Sequence, residues 1–330
     1  MKVLLVRLGA MGDIVHAVPV AAALRRARPE AHIDWLVEAK HRAVLDLFPV
    51  VDAAIEIEPA RAWRRAVGVV GSLRQTAYDV AIDAQGLLKS AVLARFAGAA
   101  RTVGFSREAA REPAAARFYT ETVSPDLGLH VARQNLRLLS ALGIDDDRIE
   151  TPARKVESAV ADDVQRALGP RYGVVNPGAG WPNKQWAPER LGAAAAAVSA
   201  RHGIGWAVVW GPGEEPLARR VEASSSGAAR VAPPTSLPDL MALVQRAAVV
   251  VSGDTGPIHL AAAAGTPVVG LYGPTSPARN GPWSPDDITI SAFDACACHH
   301  KRRCTAGSWC LDTIAVADVV LAVERRLGLH

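Results

Sequence analysis

Residues 251–273 read VSGDTGPIHLAAAAGTPVVGLYG. An apolar run ends at Val251, a turn of small and polar residues follows, then a short Ala-rich helix and a second apolar run. Strand, turn, helix, strand is the repeating unit of a parallel sheet covered by helices. The turn Ser252-Gly253-Asp254-Thr255-Gly256 places a carboxylate and a hydroxyl where the chain enters the helix. The first N–H groups of a helix have no partner within it, and the helix dipole adds positive potential there. Such a turn suits an anionic group, for example a phosphate. Asp254 can accept hydrogen bonds from sugar hydroxyls, or Asp254 or Thr255 can simply cap the helix. His259 lies three positions past Gly256, one helical turn into the site.

The same alternation extends in both directions. Residues 2–8, 32–37, 54–57, 78–82 and 102–104 read as strands, with helices over 14–27, 43–48, 60–76 and 87–97 between them. Residues 105–119 look irregular, and 130–142 form an amphipathic helix. Residues 145–161 are polar and contain Pro152, which marks a linker. A second series follows, with strands at 172–176, 205–210 and 229–231 and helices at 188–200, 216–223 and 236–246, the last capped by Ser236. A terminal helix covers 314–327. The fold class expected is α/β, with two Rossmann-like domains whose parallel sheets face across a cleft. The domains are 1–155 and 156–312, and the segment 313–330 carries a helix able to pack back on the N-terminal domain.

At 330 residues the chain is long enough for two cores. A formal charge of +4 is modest and argues against a nucleic-acid partner. No apolar run approaches the ~20 residues that span a bilayer. The N-terminal MKVLLVRLGAMGDIV is interrupted by Arg7 and Asp13, so it reads as a first strand, and a cytoplasmic protein is expected.

Each strand-to-helix turn carries candidate chemistry. Gly9-x-x-Gly12-Asp13 places Asp13 at a helix mouth, as an N-cap or as a general base facing a substrate hydroxyl. The dinucleotide pattern G-x-G-x-x-G is absent there. Asp83-Ala84-Gln85-Gly86 with Lys89 and Ser90 is a second polar turn. Lys184, between Trp181 and Trp186 after a Gly-rich turn, suits a phosphate and can neutralise charge on a leaving group. Glu214 and Glu215 follow Gly211-Pro212-Gly213, where a carboxylate can grip a ribose diol or complement a helix dipole. Residues 61–117 hold ten basic and four acidic residues, so the positive charge is concentrated there and its partner is anionic, an acceptor or a membrane surface. Cys296, Cys298, Cys304 and Cys310 have a spacing unlike the common zinc fingers, which leaves structural metal, free thiols and disulfides all open.

Taken together the motifs resemble the ADP-heptose:lipopolysaccharide heptosyltransferases of glycosyltransferase family 9, over nearly the whole chain. The residues that carry the resemblance are Gly12-Asp13 with His16 and Pro19, Ile82 to Ala91, Ala110-Arg111-Glu112-Pro113 with Phe118-Tyr119, and Ser252-x-Asp254-Thr255-Gly256-x-x-His259-Leu260. The second and third look most like the heptosyltransferase I subgroup, as does Asp34-Trp35-Leu36-Val37-Glu38. The resemblance implies a GT-B fold and an inverting, metal-independent transferase without cofactor, peripheral at the inner face of the inner membrane. It implies ADP-heptose as donor and Kdo–lipid A as acceptor. It implies Asp13 as catalytic base and Lys184, Glu215, Asp254, Thr255, Gly256 and His259 as donor-binding residues, with Glu214 in place of Glu215 if the turn shifts register. Arg61, Arg64, Arg65, Lys89 and Arg111 would meet the acceptor. The Cys-rich segment and residues 176–180 look more like heptosyltransferase II and other family members, which implies as alternatives a heptosyl-Kdo acceptor or a different donor sugar. A non-hydrolysing nucleotide-sugar epimerase and a non-catalytic nucleotide-sugar binding protein are the competing readings.

Overall fold

The structure of the chain is a computed structural model describing residues 1–58, 63–304 and 306–329, with the side chains of 63–67 outside that description. The chain divides into two compact units, Met1–Arg154 and Lys155–His330. The first unit holds a sheet of six parallel strands, β1 (Lys2–Val6), β2 (His32–Glu38), β3 (Ala53–Ile57), β4 (Val80–Asp83), β5 (Arg101–Phe105) and β6 (Glu121–Val123). Their order in the sheet is β3-β2-β1-β4-β5-β6. The second unit holds β7 (Tyr172–Asn176), β8 (Gly205–Val208), β9 (Ala229–Val231), β10 (Val249–Gly253), β11 (Val268–Tyr272) and β12 (Ile288–Ser291), in the order β12-β11-β10-β7-β8-β9. Counted within its own unit, the second order is the first over again. In each sheet the order reverses beside the first strand, between β1 and β4 and between β7 and β10. Ligands of doubly wound sheets lie outside the carboxyl ends of the strands at that reversal.

The central strands are buried on both faces, as their unbroken apolar runs require. Val3, Leu4 and Val6 of β1 and Val249 and Val250 of β10 have no exposed surface. Trp35 in the first unit and Tyr172, Trp206 and Tyr272 in the second are the largest fully buried rings. Each such side chain contributes about 1.5–3 kcal/mol on burial.

The expected helix 14–27 is two helices, Met11–Val15 and Val18–Ala27. Pro19 has no N–H to return to the carbonyl of Val15, so one continuous helix cannot form. The expected linker already contains the start of the helix Ala159–Leu168, where the Ser158 hydroxyl accepts from the Ala161 N–H at 3.1 Å. The short edge strands β6 and β12 lie where the sequence suggested none. The helix of segment 313–330, expected against the first domain, has its apolar face buried within its own unit. The helix Val316–Leu327 buries Val319, Val320 and Val323 with Val175, Leu191 and Val251, on the sheet of its own unit. Its apolar stripe fits the face of β10, β11 and the helix Pro188–His202, and burial there removes the stripe from water.

Candidate active site

In the first unit the two strands beside the reversal end in the turns that carry Asp13 and Asp83. The backbone leaves β1 through Arg7, whose N–H donates to the Leu36 carbonyl at 3.2 Å and whose carbonyl accepts from the Trp35 indole at 3.0 Å. Further along the turn, Asp13 lies in the helix Met11–Val15, with its Oδ1 2.8 Å from the Arg7 guanidinium and its Oδ2 3.8 Å from that of Arg111. Arg7 is 6% exposed at its side chain and Asp13 32%, so the cation is interior and the carboxylate faces outward. Burial pushes the Asp13 carboxyl up, but Arg7, then Arg111, with the Ala10 N–H at 3.4 Å, more than offset it and hold it below the usual carboxylate range. Asp13 is therefore ionised at neutral pH and able to accept a proton.

The turn after β4 is a closed network. Asp83 is fully buried and accepts from the N–H groups of Gln85 at 2.8 Å and Gly86 at 3.3 Å, from the Ser90 hydroxyl at 2.8 Å and from the Tyr119 hydroxyl at 2.7 Å. It orders the turn and does not face solvent. Gly86 reverses the chain at φ +67°, and its carbonyl accepts from the Glu112 N–H at 2.9 Å, which ties the turn to the segment carrying Arg111. Lys89 stands at the start of the helix Leu88–Phe96, half-exposed, and pairs with Glu38 of β2 at 2.9 Å. Lys40 reaches the same carboxylate at 3.1 Å. Burial pushes Glu38 up and these two cations outweigh it, so it lies below its ordinary value. Arg111 is 62% exposed. Arg61 lies outside the described residues, as do the side chains of Arg64 and Arg65.

In the second unit the strands beside the reversal are β7 and β10, and their turns meet. The Asn176 amide at the end of β7 donates within reach of the Gly178 carbonyl at 2.9 Å, the Thr255 hydroxyl at 3.0 Å and the Ser252 hydroxyl at 3.1 Å. Thr255 is the N-cap of the helix Gly256–Ala264 by backbone conformation, but its hydroxyl makes no capping bond to that helix. The Thr255 hydroxyl therefore does not occupy the N–H groups of Gly256 and Ile258, and Pro257 between them has none. Gly253 admits the Lys184 turn: a Cβ there would stand 2.5 Å from the Lys184 carbonyl oxygen. Lys184 Nζ donates to Asp254 Oδ2 at 2.6 Å and to the Asp254 carbonyl at 3.3 Å, and it lies 4.6 Å from the centre of the Trp181 ring. His259 Nε2 is 3.0 Å from Asp254 Oδ1. Burial raises the Asp254 carboxyl, yet His259 and Lys184 overcome it and hold Asp254 far below the carboxylate range. Lys184, Asp254, Thr255, Gly256 and His259 are thus brought together.

Glu215 is not. Its carboxylate pairs with Arg219 at 2.8 Å on the exposed face of its own helix, Glu215–Ala223. Glu214 instead turns back, accepts from the Gly211 N–H at 2.9 Å, and fills the space over Gly178, where a Cβ would overlap its carboxylate. Gly213, with φ +81°, reverses the chain before the helix begins, so of the two glutamates it is Glu214 whose carboxylate lies over the turn. Two site residues were not singled out from the sequence, Arg7 and Asn176. A charge inside the run Val3–Leu8 was the signal for Arg7, since a buried charge demands a partner. Asn176, a polar residue ending a buried strand, was the weaker one.

Each unit carries its own candidate chemistry, an ionised carboxylate in the first and a helix start beside a lysine in the second. The model of glycosyltransferase family 9 (heptosyltransferase) matches residues 68–310. The chain belongs to glycosyltransferase family 9. Among curated relatives it is 32% identical to lipopolysaccharide heptosyltransferase 1 of Pseudomonas aeruginosa, over 92% of this chain and 88% of that one. Among solved structures it is similar to the heptosyltransferase WaaC of Escherichia coli with ADP, at 27% identity and TM-score 0.80, over 99% of this chain and 100% of that one. It is similar also to WaaC with ADP-2-deoxy-2-fluoro heptose, at 26% identity and TM-score 0.77, over 98% and 99%. The fold is GT-B and the family 9 chain is a glycosyltransferase.

The four cysteines are unbridged. Cys296 and Cys298 have their sulfurs 3.5 Å apart and are buried. Among the described residues no three His, Cys, Asp or Glu side chains are gathered as a metal site. Among the described residues no helix is long and apolar enough to cross a membrane.

Proposed function

We propose that this family 9 enzyme transfers heptose from ADP-heptose to a Kdo residue of the lipopolysaccharide inner core, on a Kdo–lipid A acceptor, with inversion at the anomeric carbon. The observation that carries the mechanism is Asp13, held ionised and outward-facing at the end of β1. Asp13 takes the proton of the acceptor hydroxyl. The hydroxyl oxygen bonds to the anomeric carbon from the face opposite the diphosphate, and the anomeric C–O bond breaks with its electron pair leaving on ADP. The start of the helix Gly256–Ala264 and Lys184 meet the diphosphate charge, so no metal is needed for that role. Asp254 and Glu214 hold sugar hydroxyls, and His259 holds Asp254 from within the helix. Arg111 and Lys89 bind the anionic acceptor, and the basic charge of the 61–117 stretch of sequence draws the enzyme to the inner face of the inner membrane. Similarity to WaaC, solved with ADP and with a fluorinated ADP-heptose, supports the donor. Similarity to heptosyltransferase 1 supports the acceptor.

Product mass spectrometry tests this reading. ADP-heptose and Kdo2–lipid A should give a product heavier by one heptose, in the presence of a chelator. Asp13→Asn should abolish that product while leaving ADP-heptose affinity within a few-fold. A product only from heptosyl-Kdo2–lipid A moves the enzyme to the second transfer, and consumption of ADP-heptose with no acceptor present sinks the transferase reading.

A further inference from the structure

Asp13 has two oxygens in different surroundings. Oδ1 is 2.8 Å from a guanidinium nitrogen of Arg7. Oδ2 has the Ala10 N–H at 3.4 Å and the exposed Arg111 at 3.8 Å, both long. The second guanidinium nitrogen of Arg7 donates to the Ala84 carbonyl. Arg7 is thus pinned between the turn after β4 and the helix mouth, and its own backbone is held by Leu36 and Trp35 of β2. A buried arginine with three such anchors has little freedom to follow Asp13; Asp13, on a five-residue helix, must follow it.

We propose that Arg7 is the positioning residue of the base: it occupies Oδ1 and so presents Oδ2 as the one oxygen that takes the proton of the acceptor hydroxyl. This rests on Asp13 being the base. Among the described residues three charged or titratable groups face Asp13. Arg7 comes from the end of β1, Arg111 from the segment after β5, and His41 from the turn after β2. Burial and the charge of Lys40 hold the His41 imidazole below its ordinary value, although Glu38 and Asp13 pull the other way, so at neutral pH it adds little charge. Arg111 is mostly in water and screened. Arg7 is therefore the foremost of the charges that keep the carboxyl ionised. Without it the largest lowering influence is gone and the carboxyl is protonated at a higher pH.

The test is the pH dependence of turnover under saturating donor and acceptor for the wild type, Arg7→Lys, Arg7→Met and Asp13→Asn. Arg7→Met should move the acid limb of the kcat profile upward by about one pH unit or more, as expected on losing an opposite charge at this range. It should lower the plateau by about 10–100-fold, through a misplaced carboxylate. The KM for ADP-heptose should stay within about twofold. Arg7→Lys should move the acid limb less and in the same direction, because it keeps the charge and loses the second anchor. Added guanidinium ion should restore part of the Arg7→Met rate. An acid limb that stays in place in both variants, with a uniform loss of rate, overturns the proposal and leaves Arg7 a structural residue. Wild-type turnover in Asp13→Asn overturns the base reading instead. If Arg7→Met does not fold, Arg7→Lys alone gives the shift or its absence.

Discussion

Removing the Lys184 ammonium isolates the energetics of the donor half-site. Lys184 Nζ and Asp254 Oδ2 are 2.6 Å apart, with side chains 15% and 6% exposed. At an effective dielectric of about 20, two unit charges at that distance attract by ~6 kcal/mol. The cost of stranding the survivor is smaller, about 3–5 kcal/mol for a buried pair, since both ions were desolvated to begin with. Asp254 keeps His259 at 3.0 Å, so the expectation for Lys184→Met is the lower end, ~3 kcal/mol. For a unit of this size that lowers Tm by about 6–12 °C. Asp254→Asn should cost less, about 1–2 kcal/mol, because Lys184 is the more exposed partner and can turn to water. The double variant should then be no less stable than Lys184→Met alone, a coupling of about 1–2 kcal/mol or more.

The pH dependence has a definite sign. Asp254 has a depressed folded-state value, so its contribution is present above the unfolded carboxylate range and lost as pH falls through the depressed one. The deficit of Lys184→Met should therefore be constant from pH 6 to 8 and shrink in acid. The assay is scanning calorimetry of the four proteins with and without ADP. ADP should raise the Tm of the wild type more than that of Lys184→Met. Additive losses in the double variant, or an unchanged Tm in Lys184→Met, would refute the claim that Lys184 compensates Asp254.

Glu214→Gln should raise the KM for ADP-heptose about tenfold, while Glu215→Gln stays within twofold, because only Glu214 turns back to the Gly211 N–H; steady-state kinetics of the two variants decides it. Gly253→Ala sets a methyl 2.5 Å from the Lys184 carbonyl, so the Lys184 turn must move; a loss of about 1–3 kcal/mol in thermal stability together with weaker ADP binding is expected, and a well-folded variant with wild-type ADP affinity would show that the turn has room.

Sequence periodicity exposed the alternation because a doubly covered strand writes itself as an apolar run, as at Val3–Val6 and Val249–Val251. It concealed β6 and β12, since edge strands of three and four residues need few buried side chains. Asp254, Lys184 and His259 stood out because charged residues clustered at strand ends. Their pairing did not, since Lys184 and Asp254 are seventy positions apart and meet only when β7 and β10 lie side by side. Glu214 and Glu215 differ by a single step of backbone rotation, which Gly213 at positive φ decides and periodicity does not record. What covers the terminal helix was hidden for a related reason. An amphipathic stripe states that a helix must be covered, and leaves open which sheet covers it.

The two half-sites use the same ion pair in opposite senses. At the end of β1 the cation is interior, Arg7 at 6% exposure, and the carboxylate of Asp13 is the partner presented outward. At the end of β10 the carboxylate is interior, Asp254 at 6%, and Lys184 is the more exposed partner. A buried ion stabilises its outward partner's charged form without competing for its ligand, because the buried group has no room to leave. The first arrangement offers a base whose protonation is suppressed until a hydroxyl arrives. The second offers an ammonium whose turn from Asp254 toward an incoming diphosphate exchanges one anion for another, with His259 left on the other carboxylate oxygen. Exchanging the senses would present an anion to the diphosphate and a cation to the hydroxyl, and neither would serve. On the proposed function, the polarity of each pair is the feature that would distinguish an acceptor half from a donor half on two sheets of identical strand order.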